Sequence, residues 1–323
     1  SIRLNFSFNN RLGTEAVLQK VQVDNFDSAF LRTLEKNKNI NFSKTLFVPS
    51  TKPVTQPYWL VNKMAEGYFN VTDQLSIGQP DVDPAYAAFI QVKIFGERFT
   101  FMRTVRYKFT DPVKGELYQP LVVIPPVIIT PVEDMKIVTG DKINLKGSVT
   151  VRGMKKGFSG TMQAISDTTG KALKNVFIKN NTISINTKNQ LTEVDYTGEA
   201  EKKNENIRFA VSSVEGNHIA DDRHEIRYDH IPFINYFHKA VVAVKYIDLK
   251  TYNKRIGYIV GAGDKVPESL EQMGYEVILL TDKELSRNNL GQYDAIITGV
   301  RAYNTHDWMN KHYEKLMKYV NEG

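Results

Sequence analysis

The sequence predicts a multidomain, mainly β chain: two antiparallel β-sandwich domains, residues 1–115 and 116–238, followed by the first part of a doubly wound α/β domain, residues 239–323. Three observations carry this. Short runs that alternate apolar and polar residues, broken by Asn, Gly, Pro and Asp clusters, recur through the first two thirds of the chain. After Lys254 the pattern changes to short buried apolar runs separated by stretches long enough for a helix. Turn clusters mark the joins, Asp111-Pro112-Val113-Lys114-Gly115 first and Tyr228-Asp229-His230-Ile231-Pro232 second.

In the first domain, strands are expected at 2–8, 16–23, 42–48, 89–95 and 99–109. Residues 49–84 hold too many prolines and aromatics to be a plain linker, so they are expected to wrap the sandwich and bury their rings. Tyr58, Trp59, Tyr68 and Phe69 could also form a surface that stacks on sugar rings. Core or edge-covering is the stronger expectation, because aromatics beside sheets usually bury area.

A Pro-interrupted apolar passage, 119–131, must run along an edge or between sheets. The second set of strands is expected at 143–151, 158–165, 176–178, 182–186, 206–214 and 224–228. The polar stretch 201–206 reads as a solvated loop. His218, His224, His230 and His238 recur at intervals of six, six and eight residues, and even intervals share one face of a continuous strand. Against a zinc site, Gly216-Asn217 and Ile231-Pro232 break the run, and pairs such as H-x-x-x-H are missing. His306 and His312 fall on different faces of a helix. No metal site is therefore expected.

Residues 240–249 read as one more apolar strand leading into the α/β domain. The organising stretch follows. An apolar run, 256–260, ends on Gly261-Ala262-Gly263-Asp264, and Pro267 stands where a helix start tolerates a missing N–H. Gly274 is a helix stop, 275–280 a second strand, and 295–298 a third, ending on Gly299. With strand order 2-1-3, ligands bind where the order reverses, between the first and third strands. The loops there carry Gly261, Gly263, Asp264, Arg301, Tyr303 and Asn304, offering backbone N–H groups, a guanidinium and a phenol to an anionic or carbohydrate ligand. The structural reading is stronger, since Gly-Ala-Gly-Asp matches neither dinucleotide nor phosphate-loop patterns.

Charge and composition remove several classes. The excess of six positive charges over 323 residues contains no run of five basic residues, so nucleic acid binding is not expected. The longest apolar stretch, 121–129, is interrupted by Pro125-Pro126, so no membrane span is expected. With no cysteine, the chain has no disulfide, thiolate nucleophile or Cys-ligated zinc. Ser1 leads straight into a strand, and the amphipathic segment 313–320 with Asn321-Glu322-Gly323 reads as a helix and its stop before another strand. The natural protein is therefore expected to continue beyond Gly323, and before Ser1, since three strands alone leave a sheet edge bare.

The strings IGYIVGAGDKVPESLEQMGYEV and YDAIITGVRAYNT, with YDHIP about 25 residues upstream and TDPVKGELYQPLVV before that, resemble the C-terminal accessory region of large bacterial PIG-L-type (LmbE-like) N-deacetylases. The resemblance covers most of the chain. It implies Ig-like sandwiches and the front of a flavodoxin-like, glutamine-amidotransferase-like α/β domain. It further implies a parent hydrolase whose N-terminal-side catalytic domain binds zinc through a His-Pro-Asp-Asp motif and a later histidine. That domain removes acetyl groups from N-acetylglucosamine-type substrates with metal-activated water. No His-Pro-Asp-Asp occurs here, and Asp221-Asp222-Arg223-His224 lacks the leading His-Pro. The resemblance thus implies no catalytic residue in this chain, and zinc only in the absent catalytic domain. Its implied partners are that deacetylase domain of the same polypeptide and a carbohydrate, in a periplasmic or secreted setting.

Two other classes stay open: a stand-alone carbohydrate-binding or scaffold protein, and an independent enzyme. For the enzyme, Asp264, Arg301, Tyr303 and His306 offer no base and nucleophile pair. The cysteine nucleophile of an amidotransferase is excluded by composition.

Overall fold

A computed structural model describes residues 1–79, 82–140, 143–252, 254–287 and 289–322. The expected helix stop at Gly323 lies outside the described residues. Strand accounts for 48% of the chain and helix for 13%, which makes the protein mainly β.

The first unit holds β1 (Ile2–Asn9), β2 (Ala16–Val23), β3 (Phe26–Thr33), β4 (Asn39–Leu46), β5 (Ala87–Ile94), β6 (Glu97–Thr104), β7 (Arg106–Asp111) and β8 (Gly115–Pro120). β1 and β4 form one antiparallel sheet, and β3-β2-β5-β6 form the other. Period-two alternation, shifted by one residue at a bulge between Leu18 and Lys20, points Leu4, Ile40 and Leu46 from the first sheet, and Leu18, Val21 and Val92 from the second, into one core. Each such side chain contributes about 1.5–3 kcal/mol when fully buried. The expected strand at 99–109 is two strands, because the chain leaves the sheet after Val105 and β7 pairs with β8 as a separate hairpin. β3, absent from the expected set, is an edge strand: Phe26 is buried, Ser28 and Phe30 are half-buried, and Asp27, Ala29 and Leu31 between them are exposed.

The second unit contains β9 (Val127–Pro131), β10 (Met135–Thr139), β11 (Asn144–Gly153), β12 (Phe158–Ser166), β13 (Val176–Ile178), β14 (Thr182–Ile185), β15 (Leu191–Glu199), β16 (Glu205–Ser213), β17 (His218–Ile219), β18 (Asp221–Ile226), β19 (Ile234–Lys239) and β20 (Val241–Ile247). Its sheets run β10-β20-β16-β12-β14, with β17 beside β16, and β13-β15-β11-β9. Tyr196 and Phe209, 4.8 Å apart, pack between them. β15 escaped the sequence reading because its alternation is carried by Val194 and Tyr196 among charged and small residues.

Here the expected boundary at 238 moves. β20, read from sequence as the lead-in to the third domain, pairs with β10 in parallel and with β16 antiparallel, and Ala240, Val242 and Val244 join the sandwich core. An apolar strand goes where a sheet leaves an open ladder beside it, and local periodicity does not say which sheet that is.

The third unit consists of β21 (Arg255–Ile259), α1 (Val266–Gln272), β22 (Glu276–Leu279), α2 (Asp282–Arg287), β23 (Ala295–Thr298), α3 (Ala302–Thr305) and α4 (Tyr313–Glu322). Its sheet is parallel with order β22-β21-β23. Ile259, Leu280, Leu285, Met309 and Leu316 form its core, with Trp308 packed against it.

Candidate functional site

The ends of β21 and β23 lie side by side, so the two loops named from sequence do meet. What they do is bind one another. Ala262 N–H donates to Val300 O at 2.7 Å, and Gly263 N–H donates to Gly261 O at 3.0 Å. Asp264 turns back over the strand ends. Its Oδ1 accepts from the Tyr258 hydroxyl at 2.6 Å and from Val266 N–H at 3.4 Å, and its Oδ2 accepts from Val300 N–H at 3.2 Å. A carboxylate of the chain therefore occupies the position in which an anionic ligand would meet these amides.

Two glycines make this closeness achievable. A methyl at Gly261 would overlap the Val300 carbonyl oxygen, and one at Gly299 would stand 2.6 Å from Gly261 N and 2.7 Å from Asp264 Oδ2. Gly263 answers to a different demand, a left-handed φ of +69° with open space around it.

The electrostatics follow the geometry. Burial, then the Asp264 carboxylate, push the Tyr258 phenol well above its ordinary range, so it stays a donor. The Tyr258 hydroxyl, then the Val300 and Val266 amides, hold Asp264 below the usual carboxylate range. Arg301 begins α3 in a left-handed conformation, φ 57°, with its carbonyl accepting from Asn304 and Thr305. Its side chain, Tyr303 and Asn304 are exposed at the rim. His306 contacts Val260 O through Nε2 at 2.7 Å and stacks on Trp308 at 4.7 Å. His312 is buried against Asp282, 2.5 Å away.

The aromatic candidates divide. Tyr58 and Trp59 are half-buried and meet edge to face at 4.9 Å, and the Tyr58 oxygen accepts from Gly78 N–H. Tyr68 is 65% exposed and Phe69 50%, so the expectation that segment 49–84 buries its rings holds for the first pair and fails for the second. Tyr68 makes no ring contact with Tyr58 or Trp59 among the described residues, so the three do not form one platform.

Of the four spaced histidines, two come together. His224 and His238 lie across β18 and β19 with ring centroids 5.2 Å apart, and Tyr236 contacts both rings. Asp222 stands 3.5 Å from His224 and accepts from the Thr130 hydroxyl. Burial, then His224 and Lys63, lower the pKa of His238. His218 pairs with Ser212 and His230 sits on Tyr228, away from them. Among the described residues, no group of three His, Asp or Glu side chains is arranged to hold a metal ion.

A cleft of about 420 Å³ between the β7–β8 and β18–β19 hairpins escaped the sequence reading. Tyr107, Phe109 and Phe233 supply rings, and Arg223, Glu225, Arg227 and Asn235 supply a polar network. Arg223 donates to Asn235 Oδ1 and pairs with Glu225, Arg227 pairs with Glu225 at 2.8 Å, and the Arg227 guanidinium lies 4.8 Å over Phe233. The rings of β7 and the residues from 223 to 235 lie more than a hundred positions apart in sequence, so no local motif announces the cleft. A larger space, about 780 Å³, opens between the first two units and is lined by Pro49, Pro53, Pro125 and Pro126 among others.

No family model and no curated protein matches this chain. Among solved structures, the periplasmic chaperone SfaE is similar at 11% identity and a TM-score of 0.23, over 38% of this chain and 58% of that one. A likeness of that size carries no argument about fold or function. No helix among the described residues is long and apolar enough to cross a membrane.

Proposed function

We propose that this chain is the non-catalytic accessory region of a PIG-L-type deacetylase acting on N-acetylglucosamine-type glycans, serving substrate presentation or domain organisation. In this reading its partner is the zinc-bearing deacetylase domain of the same polypeptide, in a periplasmic or secreted setting. The front of its α/β unit is read as flavodoxin-like on the sheet order and the GAGD and GVRAYN strings.

The observation that carries the reading is how successive units are stapled. Gln56 Oε1 accepts from Phe237 N–H at 2.9 Å, Gln119 Oε1 from Phe233 N–H at 3.4 Å, and Gln272 Oε1 from Ile137 N–H at 2.6 Å. Lys265 of the third unit also meets Asp134 of the second at 2.7 Å. A side-chain amide that satisfies another unit's backbone donor fixes orientation as well as proximity. Such joints suit a spacer that holds other surfaces in register. Asp264, closing the strand ends from within, suits the same role.

The test is hydrolysis by the whole gene product against the isolated chain. The whole product, carrying an upstream His-Pro-Asp-Asp domain, is expected to release acetate from N-acetylglucosamine oligomers, and residues 1–323 to release none. Turnover by residues 1–323 alone, or a gene without that motif, would overturn the proposal.

One observation favours a second reading, a stand-alone carbohydrate-binding or scaffold protein. The cleft between the two hairpins offers ring faces beside planar hydrogen-bonding groups, the combination that binds sugars through their apolar face and their hydroxyls. Calorimetric titration with oligosaccharides distinguishes the readings, since millimolar sugar without heat removes the second.

A further inference from the structure

The four-stranded sheet of the first unit ends in β6, whose outer side pairs with no other strand among the described residues. All eight residues of β6 are exposed, on both faces. The sheet opposite has only two strands, β1 and β4, so β6 extends past it. Phe99 and Phe101 face the core side, opposite Val92 and Ile90, yet remain 46% and 39% exposed, stacked on each other at 6.5 Å. An open strand of this length and apolarity is a template for pairing.

The backbone says which groups are free. Val105 N–H donates to Tyr86 O, in register with the β5–β6 ladder. Alternation in an antiparallel ladder then turns the odd-numbered residues of β6 toward β5 and the N–H and C=O groups of Arg98, Thr100, Met102 and Thr104 toward the open edge. In agreement, Met102 O is free to accept from the Arg103 guanidinium at 2.9 Å.

We propose that this edge pairs with the β6 edge of a second copy of the chain, antiparallel and centred on Thr100. A two-fold axis normal to a sheet keeps each side chain on its own face, so the axis must pass through a residue that meets itself. Centring on Thr100 sets Glu97 opposite Arg103, Phe99 opposite Phe101, and Arg98 opposite Met102, each contact occurring twice. Moving the axis one residue either way sets Glu97 against Phe101 or Val105 instead and leaves both charges without a partner. The self-complementary order Glu-x-Phe-Thr-Phe-x-Arg therefore selects one register and one occupant. In the pairing, Arg103 exchanges its own Met102 carbonyl for the Glu97 carboxylate of the other copy. Two sheets become one, and the four phenylalanines on the axis cover one another.

Sedimentation velocity of the chain from low to high micromolar concentration tests this. The wild type is expected to form a concentration-dependent dimer. Thr100→Pro removes an N–H that points to the open edge and not to β5, a substitution that edge strands tolerate, so it should abolish the dimer while leaving the circular dichroism spectrum intact. Glu97→Arg, which sets like charges together, should weaken association by tenfold or more, and Glu97→Arg with Arg103→Glu should restore it. A wild type that stays monomeric overturns the proposal. So does a dimer indifferent to both Thr100→Pro and Glu97→Arg, or a double variant no tighter than the single one.

Discussion

The Tyr258–Asp264 contact makes a quantitative claim about the α/β unit. Tyr258 is 1% exposed, and its hydroxyl has Asp264 Oδ1 as its acceptor at 2.6 Å. A buried hydroxyl left without a partner costs about 1–3 kcal/mol. Asp264→Ala creates that orphan and also strips the acceptor from Val300 and Val266 N–H, so a loss of about 2–4 kcal/mol is expected. Tyr258→Phe removes the donor and leaves the carboxylate its two amides, for about 1–2 kcal/mol. In the double variant no hydroxyl remains to be orphaned, so the two losses should fall short of additivity by about 1–2 kcal/mol. The assay is urea unfolding followed by the fluorescence of Trp308, which packs on this unit's core, in a Trp59→Phe background that silences the other tryptophan. The folded-state carboxyl is held below its ordinary pKa, so its contribution is present above the unfolded value of about 3.9 and disappears as pH falls through the folded one. Strict additivity, or an advantage over Asp264→Ala that persists below the folded pKa, would refute the latch.

Gly261→Ala must drive its methyl into Val300 O, and should lower the melting temperature of the α/β unit more than Gly263→Ala, which meets open space and costs about 1 kcal/mol for its left-handed φ. Differential scanning calorimetry of the pair checks the order. His238 has its pKa lowered by burial and by His224 and Lys63, so the unfolded chain binds more protons between the folded value and about 6.5. Stability should fall as pH drops from about 6.5 through that window, and His238→Gln should flatten the dependence of the urea midpoint on pH. Gln272→Ala leaves Ile137 N–H without its acceptor, and faster amide exchange there, with the core of the α/β unit unchanged, is expected by hydrogen-exchange mass spectrometry. Arg301→Ala, at an exposed rim position, should leave the melting temperature nearly unchanged, and a large fall would show a structural role.

Much of the local structure was legible in the residues themselves. Period-two alternation marked most strands of both sandwiches, Gly261 and Gly299 marked the two strand ends that meet, and Pro267 and Gly274 bracketed α1. The reason is that apolar spacing and backbone restriction act within a few residues. Which ladder a strand joins is decided by partners far along the chain. Hence β20 belongs to the second sandwich, β15 hides its two core residues among charges, and His224 meets His238 while His218 and His230 do not. The candidate loops repeat the lesson, since sequence brings their glycines together, but only the folded backbone aims Asp264 into the space between them. The cleft between the hairpins and the bare edge of β6 likewise exist only once distant strands have paired. A surface left uncovered is a property of the whole fold and of no single segment.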